Sequence, residues 1–159
     1  MKRLFPLIAL VALSAFGPAQ GKNSLPTAEN LAALGQEVER EGKPMVVFFY
    51  QDECHYCDAV WKEYLKPMQG DAAYDKRIIL RKIDTRGDGL IKDFQGKEVR
   101  QQSFANREEQ TFTPTIAFYG PDGQRLTSSL VGFKGGRDYY GHYLEEGIEE
   151  AETALQEHL

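Results

Sequence analysis

MVVFFYQDECHYCDAV, residues 45–60, joins an unbroken apolar run to the chain's two cysteines, Cys54 and Cys57. Six strand-favouring apolar residues without polar alternation suit a strand buried on both faces, as at the centre of an α/β sheet. From Asp58 the pattern turns helical, with Val60, Trp61, Tyr64 and Leu65 at helical spacing until Pro67 stops or kinks it. Cys54 therefore stands where a buried strand ends and a helix begins. Unpaired backbone N–H groups and the macrodipole at such an end favour negative charge, so a thiolate there is stabilised. Its pKa falls below the free value of about 8.5. Cys57, one helical turn later, is close enough to close a disulfide with it. The spacing gives a nucleophile, Cys54, and a resolver, Cys57, for thiol-disulfide exchange. A cationic His55 between them would favour the thiolate further and make the disulfide a stronger oxidant. An exposed loop histidine of little effect is the plainer reading. Tyr56 reads as contact surface beside the sulfur.

Two other uses of such a pair compete with redox exchange. A structural disulfide closed over two intervening residues restrains little unfolded-chain entropy. A structural zinc site wants four ligands, whereas Cys54, Cys57 and His55 are too few and too close, and His142 and His158 have no paired spacing. Covalent haem is excluded because Asp58, not histidine, follows Cys57.

Outward from the motif, the pattern is that of one domain without repeats or long linkers. Residues 22–26 read as an extended lead-in. Thr27 is placed to cap a helix running to about Arg40, with Leu31, Leu34 and Val38 on one face and Gly42 beyond its end. IILRKID, 78–84, reads as a second strand, and LIKDFQGKEV as a small hairpin about Gln95-Gly96. A short helix around Ser103–Glu109 precedes TPTIAFYG, which supplies a third strand. PDG at 121–123 is a tight turn, and RLTSSLV pairs back against that strand. Asp138 is placed to cap a last helix. Its inner face holds Tyr139, Tyr140 and Tyr143, and Glu145, Glu146, Glu149, Glu150 and Glu152 form its solvated side. Gly141 and Gly147 weaken it by about 1 kcal/mol each relative to Ala. The sum is one mixed sheet with helices on both faces.

The first residues do not count toward that core. Lys2 and Arg3, then LFPLIALVALSAF, then small residues at Gly17, Ala19 and Gly21 follow the order of a secretory signal peptide. Residues 1–19 are read as the leader, with a cut after Gly21 as the alternative, and residues 20–159 as the domain. The apolar run is too short to span a bilayer comfortably, since about 20 residues are needed. Without the leader, 17 basic residues stand against 24 acidic ones, a net charge near −7. With no basic run or basic helix face, a nucleic-acid or anionic-membrane partner has no electrostatic support. Outside the cytoplasm the cysteine pair is not held reduced by the glutathione pool.

CHYC after a hydrophobic strand, TPT (113–115) before the next, and Gly132-Phe133 after the hairpin resemble the thioredoxin superfamily, in its order and over essentially the whole mature chain. The resemblance implies a thioredoxin-like fold with a central mixed β-sheet flanked by helices. It implies Cys54 as nucleophile, Cys57 as resolver, Pro114 in a cis peptide bond, and the Thr113 backbone as a contact to the partner. Composition alone would not suggest that bond, because only about 5% of such bonds are cis. The leader, the tyrosine before the second cysteine and the DG hairpin are similar to exported, SoxW-like thioredoxins of sulfur-oxidation systems. Ordinary thioredoxins read WCGPC, and here Glu53 replaces the tryptophan while His-Tyr replaces Gly-Pro. Their buried aspartate corresponds to Phe48, so the usual proton acceptor for the resolving cysteine is missing, and Glu53 or water takes that role. His55, Tyr56 and Glu53 are the tuning residues. The reading is a periplasmic or otherwise exported thiol-disulfide oxidoreductase, a monomer, with no cofactor beyond the redox-active disulfide. It reduces disulfides of exported proteins and is recharged by a membrane electron-donor thiol carrier. The alternatives are a disulfide oxidase and a non-enzymatic, redox-switched binding module.

Overall fold

Residues 24–158 are described by a computed structural model; the expected leader and its cut after Ala19 or Gly21 lie outside them. Along the chain run α1 (Leu31–Glu41), β1 (Met45–Tyr50), α2 (His55–Val60), a π-helical stretch (Trp61–Leu65), α3 (Lys66–Met68), α4 (Ala72–Asp75), β2 (Ile79–Asp84), β3 (Leu90–Lys92), β4 (Glu98–Arg100), α5 (Gln101–Arg107), β5 (Thr115–Tyr119), β6 (Leu130–Val131) and α6 (Gly136–His158). The main sheet has the order β2-β1-β5-β6, and β3 and β4 form a separate hairpin. β1 pairs parallel with β2 (Phe48 opposite Lys82) and antiparallel with β5 (Phe48 opposite Ile116). This is the expected mixed α/β sheet flanked by helices.

The apolar run of β1 is explained by its two buried faces. Alternate side chains point to opposite sides of a strand. Val46 and Phe48 pack with Val60, Ile116, Phe118, Tyr140 and Leu144. Met45, Val47 and Phe49 pack with Leu31, Val38, Ile83, Phe104 and Ala117 on the other side. β1 thus carries the chain through the middle of the core and delivers it to the cysteine motif at its end.

Several local expectations are corrected. Asn30, not Thr27, caps α1, accepting the Ala33 N–H at 3.0 Å. The lead-in keeps pairing with β2 first, since Lys82 donates its N–H to Pro26 O and Ala28 donates to Lys82 O, each at 3.0 Å. The helix after the motif ends at Met68, one residue after Pro67, as expected of a stop there. Proline lacks an N–H and its ring clashes with the carbonyl four residues back in a regular α-helix. The wider π-helical turn just before it, in which Lys66 N–H donates to Trp61 O, relieves that clash. The strand expected over RLTSSLV shrinks to Leu130–Val131, plus one bridge between Tyr119 and Arg125. α6 starts at Gly136, with Asp138 inside its first turn rather than capping it. Tyr140 is fully buried, but Tyr139 is 60% exposed and does not belong to the inner face. Glu145 and Glu152 are not simply solvated, for both bind the Arg77 guanidinium. Glu152 takes two bonds, at 2.9 and 2.7 Å, and Tyr74 OH donates to Glu145 at 3.1 Å. Gly147 lies against the ring of buried Phe118, where a Cβ would come within 2.6 Å of it, so close packing offsets its poor helix propensity.

α5 spans Gln101–Arg107, two residues earlier than expected, and closes with a residue in the left-handed region. Gln110 N–H donates to Ala105 O at 2.8 Å and Glu109 N–H to Asn106 O at 3.1 Å, the paired bonds of a Schellman motif. Glu109, at φ 58°, holds the position that favours glycine. It is exposed and its side chain makes no hydrogen bond among the described residues. Glu109→Gly is therefore expected to raise stability by about 0.5–1 kcal/mol, read as a higher urea midpoint at unchanged slope. A lower midpoint would show that the Glu109 side chain stabilises the fold. Among the described residues no helix is long and apolar enough to cross a membrane.

Candidate active site at the cysteine pair

β1 ends at Tyr50, and residues 51–53 lead into α2. Glu53 adopts φ 60°, a conformation that costs a residue with a Cβ about 1–2 kcal/mol. Cys54 is the N-cap of α2, and its sulfur accepts the Cys57 N–H at 3.1 Å. A helix-end donor thus points at the sulfur, as a thiolate there requires. Cys54 and Cys57 are joined in a disulfide with their Cα atoms 5.1 Å apart. Cys57 is 4% exposed and packs in the core, whereas Cys54 is half-buried and reachable. This difference in access is the arrangement a nucleophile and a resolver need.

TPT faces the pair from β5. The Thr113–Pro114 peptide bond is cis. Thr113 Oγ1 lies 3.7 Å from the Cys54 sulfur, within reach of a weak O–H to sulfur bond. Thr115 Oγ1 donates to Phe112 O at 2.7 Å, and Gly132 N–H donates to Pro114 O at 2.8 Å, so this segment is held from both sides. Tyr56 is 58% exposed and packs 5.9 Å from Phe133, which rests in turn on buried Tyr140 at 5.1 Å. His55 is exposed, with its ring edge-on to Tyr56 at 5.8 Å. Phe112, the residue before Thr113, is 65% exposed, so the apolar rings of Tyr56 and Phe112 are both open near the cysteine motif.

The surroundings of Cys57 are different in kind. A pocket of about 150 Å³ opens beside Cys57, lined by Leu25, Phe48, Tyr50, Trp61 and Lys82, with Asp52, Glu53 and Asp58 about its mouth. Phe48, 3% exposed, holds the place where a buried carboxylate was missed in the sequence, and no acid replaces it inside. Glu53 does share the pocket with Cys57. Burial raises the Tyr50 hydroxyl above its ordinary pKa, and the negative charges of Asp84 and Asp52 raise it further. The Lys82 ammonium lies 5.0 Å from the centre of the Tyr50 ring. Sequence reasoning singled out Cys54, Cys57, His55, Tyr56, Glu53, Thr113 and Pro114, all of which gather here. It missed Tyr50, Asp52, Asp58 and Lys82 as site residues. Asp52 and Asp58 were legible as neighbours of the motif, whereas Lys82 arrives only through the β1–β2 register.

Residues 32–146 match the family described as Thioredoxin-like domain. In fold the chain is similar to DsbH oxidoreductase, at 15% identity and TM-score 0.56, over 87% of this chain and 95% of that one. It is also similar to mitochondrial thioredoxin 3 from Saccharomyces cerevisiae in its oxidised form, at 21% identity and TM-score 0.51, over 82% and 99%. Thioredoxin f from spinach chloroplast gives 19% identity and TM-score 0.52, over 84% and 98%. No curated protein sequence matches the chain. With most of its length matched and the cysteine pair capping the helix after β1, the chain belongs to the thioredoxin-like family.

Proposed function

We propose that the protein is an exported thiol-disulfide oxidoreductase that reduces disulfides of other exported proteins. The observation that carries this reading is the reachable Cys54 sulfur at the cap of α2, bonded to the buried Cys57. In the reduced protein the Cys54 thiolate attacks one sulfur of a partner disulfide, and the partner's other sulfur leaves as a thiolate. Cys57 then loses its proton and attacks Cys54, closing the protein's disulfide and releasing the partner's second thiolate. Two electrons pass from this protein to the partner, whose thiolates take up two protons. A membrane-held dithiol carrier returns the pair to the reduced state by the same exchange. With Phe48 in place of an acid, the Cys57 proton leaves through the adjoining pocket, to water or to Glu53 at its mouth.

A disulfide oxidase is the second reading, favoured by His55 standing exposed between the cysteines. The reduction potential separates the two. Equilibration with glutathione should place the Cys54–Cys57 couple near about −270 mV for the reductase, and a value near about −120 mV would overturn that direction in favour of the oxidase. Export is tested independently by N-terminal sequencing of material recovered outside the cytoplasm, which is expected to start at Gln20 or Lys22. Recovery of an intact Met1 there would overturn cleavage.

A further inference from the structure

The chemistry around the disulfide is of two kinds, and the difference carries a preference among substrates. Near the motif stand Tyr56 and Phe112, apolar and exposed, with the partly buried Phe133 against Tyr56. Beside Cys57 is the pocket, with aromatic walls at Tyr50 and Trp61 and exposed carboxylates of Asp52, Glu53 and Asp58 at its mouth. Its volume of about 150 Å³ matches that of cavities able to take a benzene-sized group, so a guanidinium or an ammonium with part of its stem fits. Two of the protein's own cations already serve these groups, Lys82 as a wall of the pocket and Lys62 outside it, so an incoming cation meets Trp61 and the carboxylates rather than the Tyr50 face. Lys82 is held over the Tyr50 ring, and Lys62 reaches Asp58 at 3.7 Å, with both partners of that pair mostly exposed. An exposed pair of this kind contributes about 1 kcal/mol or less and is readily exchanged. Asp52 and Glu53 have no ion-pair partner among the described residues. An aromatic face and carboxylates together attract a cation.

Resting on the reductase reading, we propose that this pocket receives an arginine or lysine side chain of the substrate protein. The preferred partner segment carries that basic residue next to its disulfide cysteine. Complementary charge of this kind acts chiefly on the rate of encounter and on the choice among partners.

The test uses the reduced protein and disulfide peptides identical except for the residue flanking cysteine, which is arginine, glutamine or glutamate. Hydroxyethyl disulfide, small and uncharged, is the reference substrate. At low salt the arginine peptide should be reduced about ten-fold faster than the glutamate peptide, and the ratio should fall toward one in high salt. Asp52→Asn combined with Glu53→Gln should flatten the ratio, while Asp122→Asn, in the turn after β5, should leave it intact. Equal rates for the arginine and glutamate peptides, with hydroxyethyl disulfide reduced normally, would overturn the pocket and leave the reductase standing. An Asp122→Asn effect on the ratio as large as that of the Asp52→Asn, Glu53→Gln double variant would also overturn it, by showing that only net charge acts. Failure to reduce any of the disulfides would remove the exchange reading and this preference together.

Discussion

Cys57→Ser should accumulate as a mixed disulfide with its partner through Cys54, and Cys54→Ser should lose disulfide-reducing turnover by about a thousand-fold or more. Removing an attacking nucleophile costs that much or more in enzymes that depend on one. The asymmetry follows from access, because Cys54 is reachable while Cys57 is 4% exposed and packed in the core. The Cys54 sulfur also accepts a backbone N–H from the start of α2, which stabilises it as a thiolate. Without Cys57 the first exchange still occurs, but nothing attached to the protein displaces the partner. Non-reducing electrophoresis with mass spectrometry reads the adduct and its site, and reduction of a protein disulfide reads turnover. Adducts on Cys57 in the Cys54→Ser protein at the rate seen for Cys54 would reverse the assignment. Wild-type turnover in Cys57→Ser would remove its role as resolver.

Asp93→Ala should lower stability by about 3 kcal/mol at neutral pH, and the loss should shrink in acid. Asp93 sits in the β3–β4 hairpin with its side chain 2% exposed. One carboxylate oxygen accepts the N–H groups of Gln95 and Lys97 at 3.0 and 2.9 Å, and the other accepts from Arg107 of α5 at 3.0 Å. The residue both closes the turn and ties it to a helix. Removing it deletes three hydrogen bonds to a charged, 2% exposed carboxylate, from two turn N–H groups and from a guanidinium that is itself 46% exposed, which accounts for the magnitude. Burial alone would raise the Asp93 pKa, but the Lys97 N–H, the Arg107 guanidinium and the Gln95 N–H outweigh it and hold the carboxyl below its ordinary value. A depressed folded pKa gives stability that is fully present above the unfolded value of about 3.9 and is lost as pH falls through the folded one. Urea titrations should therefore show wild type and variant converging below about pH 3.9. A difference that stays constant down to pH 2 would show that Asp93 acts by packing and not by charge.

How far the sequence could be read depended on how far apart the determinants lie. β1 announced itself because a strand buried on both faces must be apolar throughout, and the cysteines were adjacent to it. The hairpin at Gln95-Gly96 was legible for a local reason as well, since Gly96 takes φ 75° in the turn. The cap of α1 was misplaced because Thr27 is engaged by Lys82, a residue far along the chain whose pairing no local rule reveals. The π-helical turn before Pro67 had no periodic signal of its own. Glu145 and Glu152 looked like ordinary surface acids until α6 was packed beside Arg77. In the site, the sulfur pair, its intervening residues and TPT were visible as motifs. The pocket was not, because its walls come from β1, β2, the lead-in and the helix after the motif.

The two rims of the sheet bear on solubility. An open strand edge invites a foreign chain to add itself, and proteins blunt such edges to avoid aggregation. On one rim the lead-in hydrogen-bonds along β2, and on the other β6 is only two residues long. Little unpaired backbone is left there to template a growing fibre. The molecule is thereby free to display bare aromatic rings beside its disulfide, a sticky surface that a sheet with long open borders would carry at the risk of precipitation.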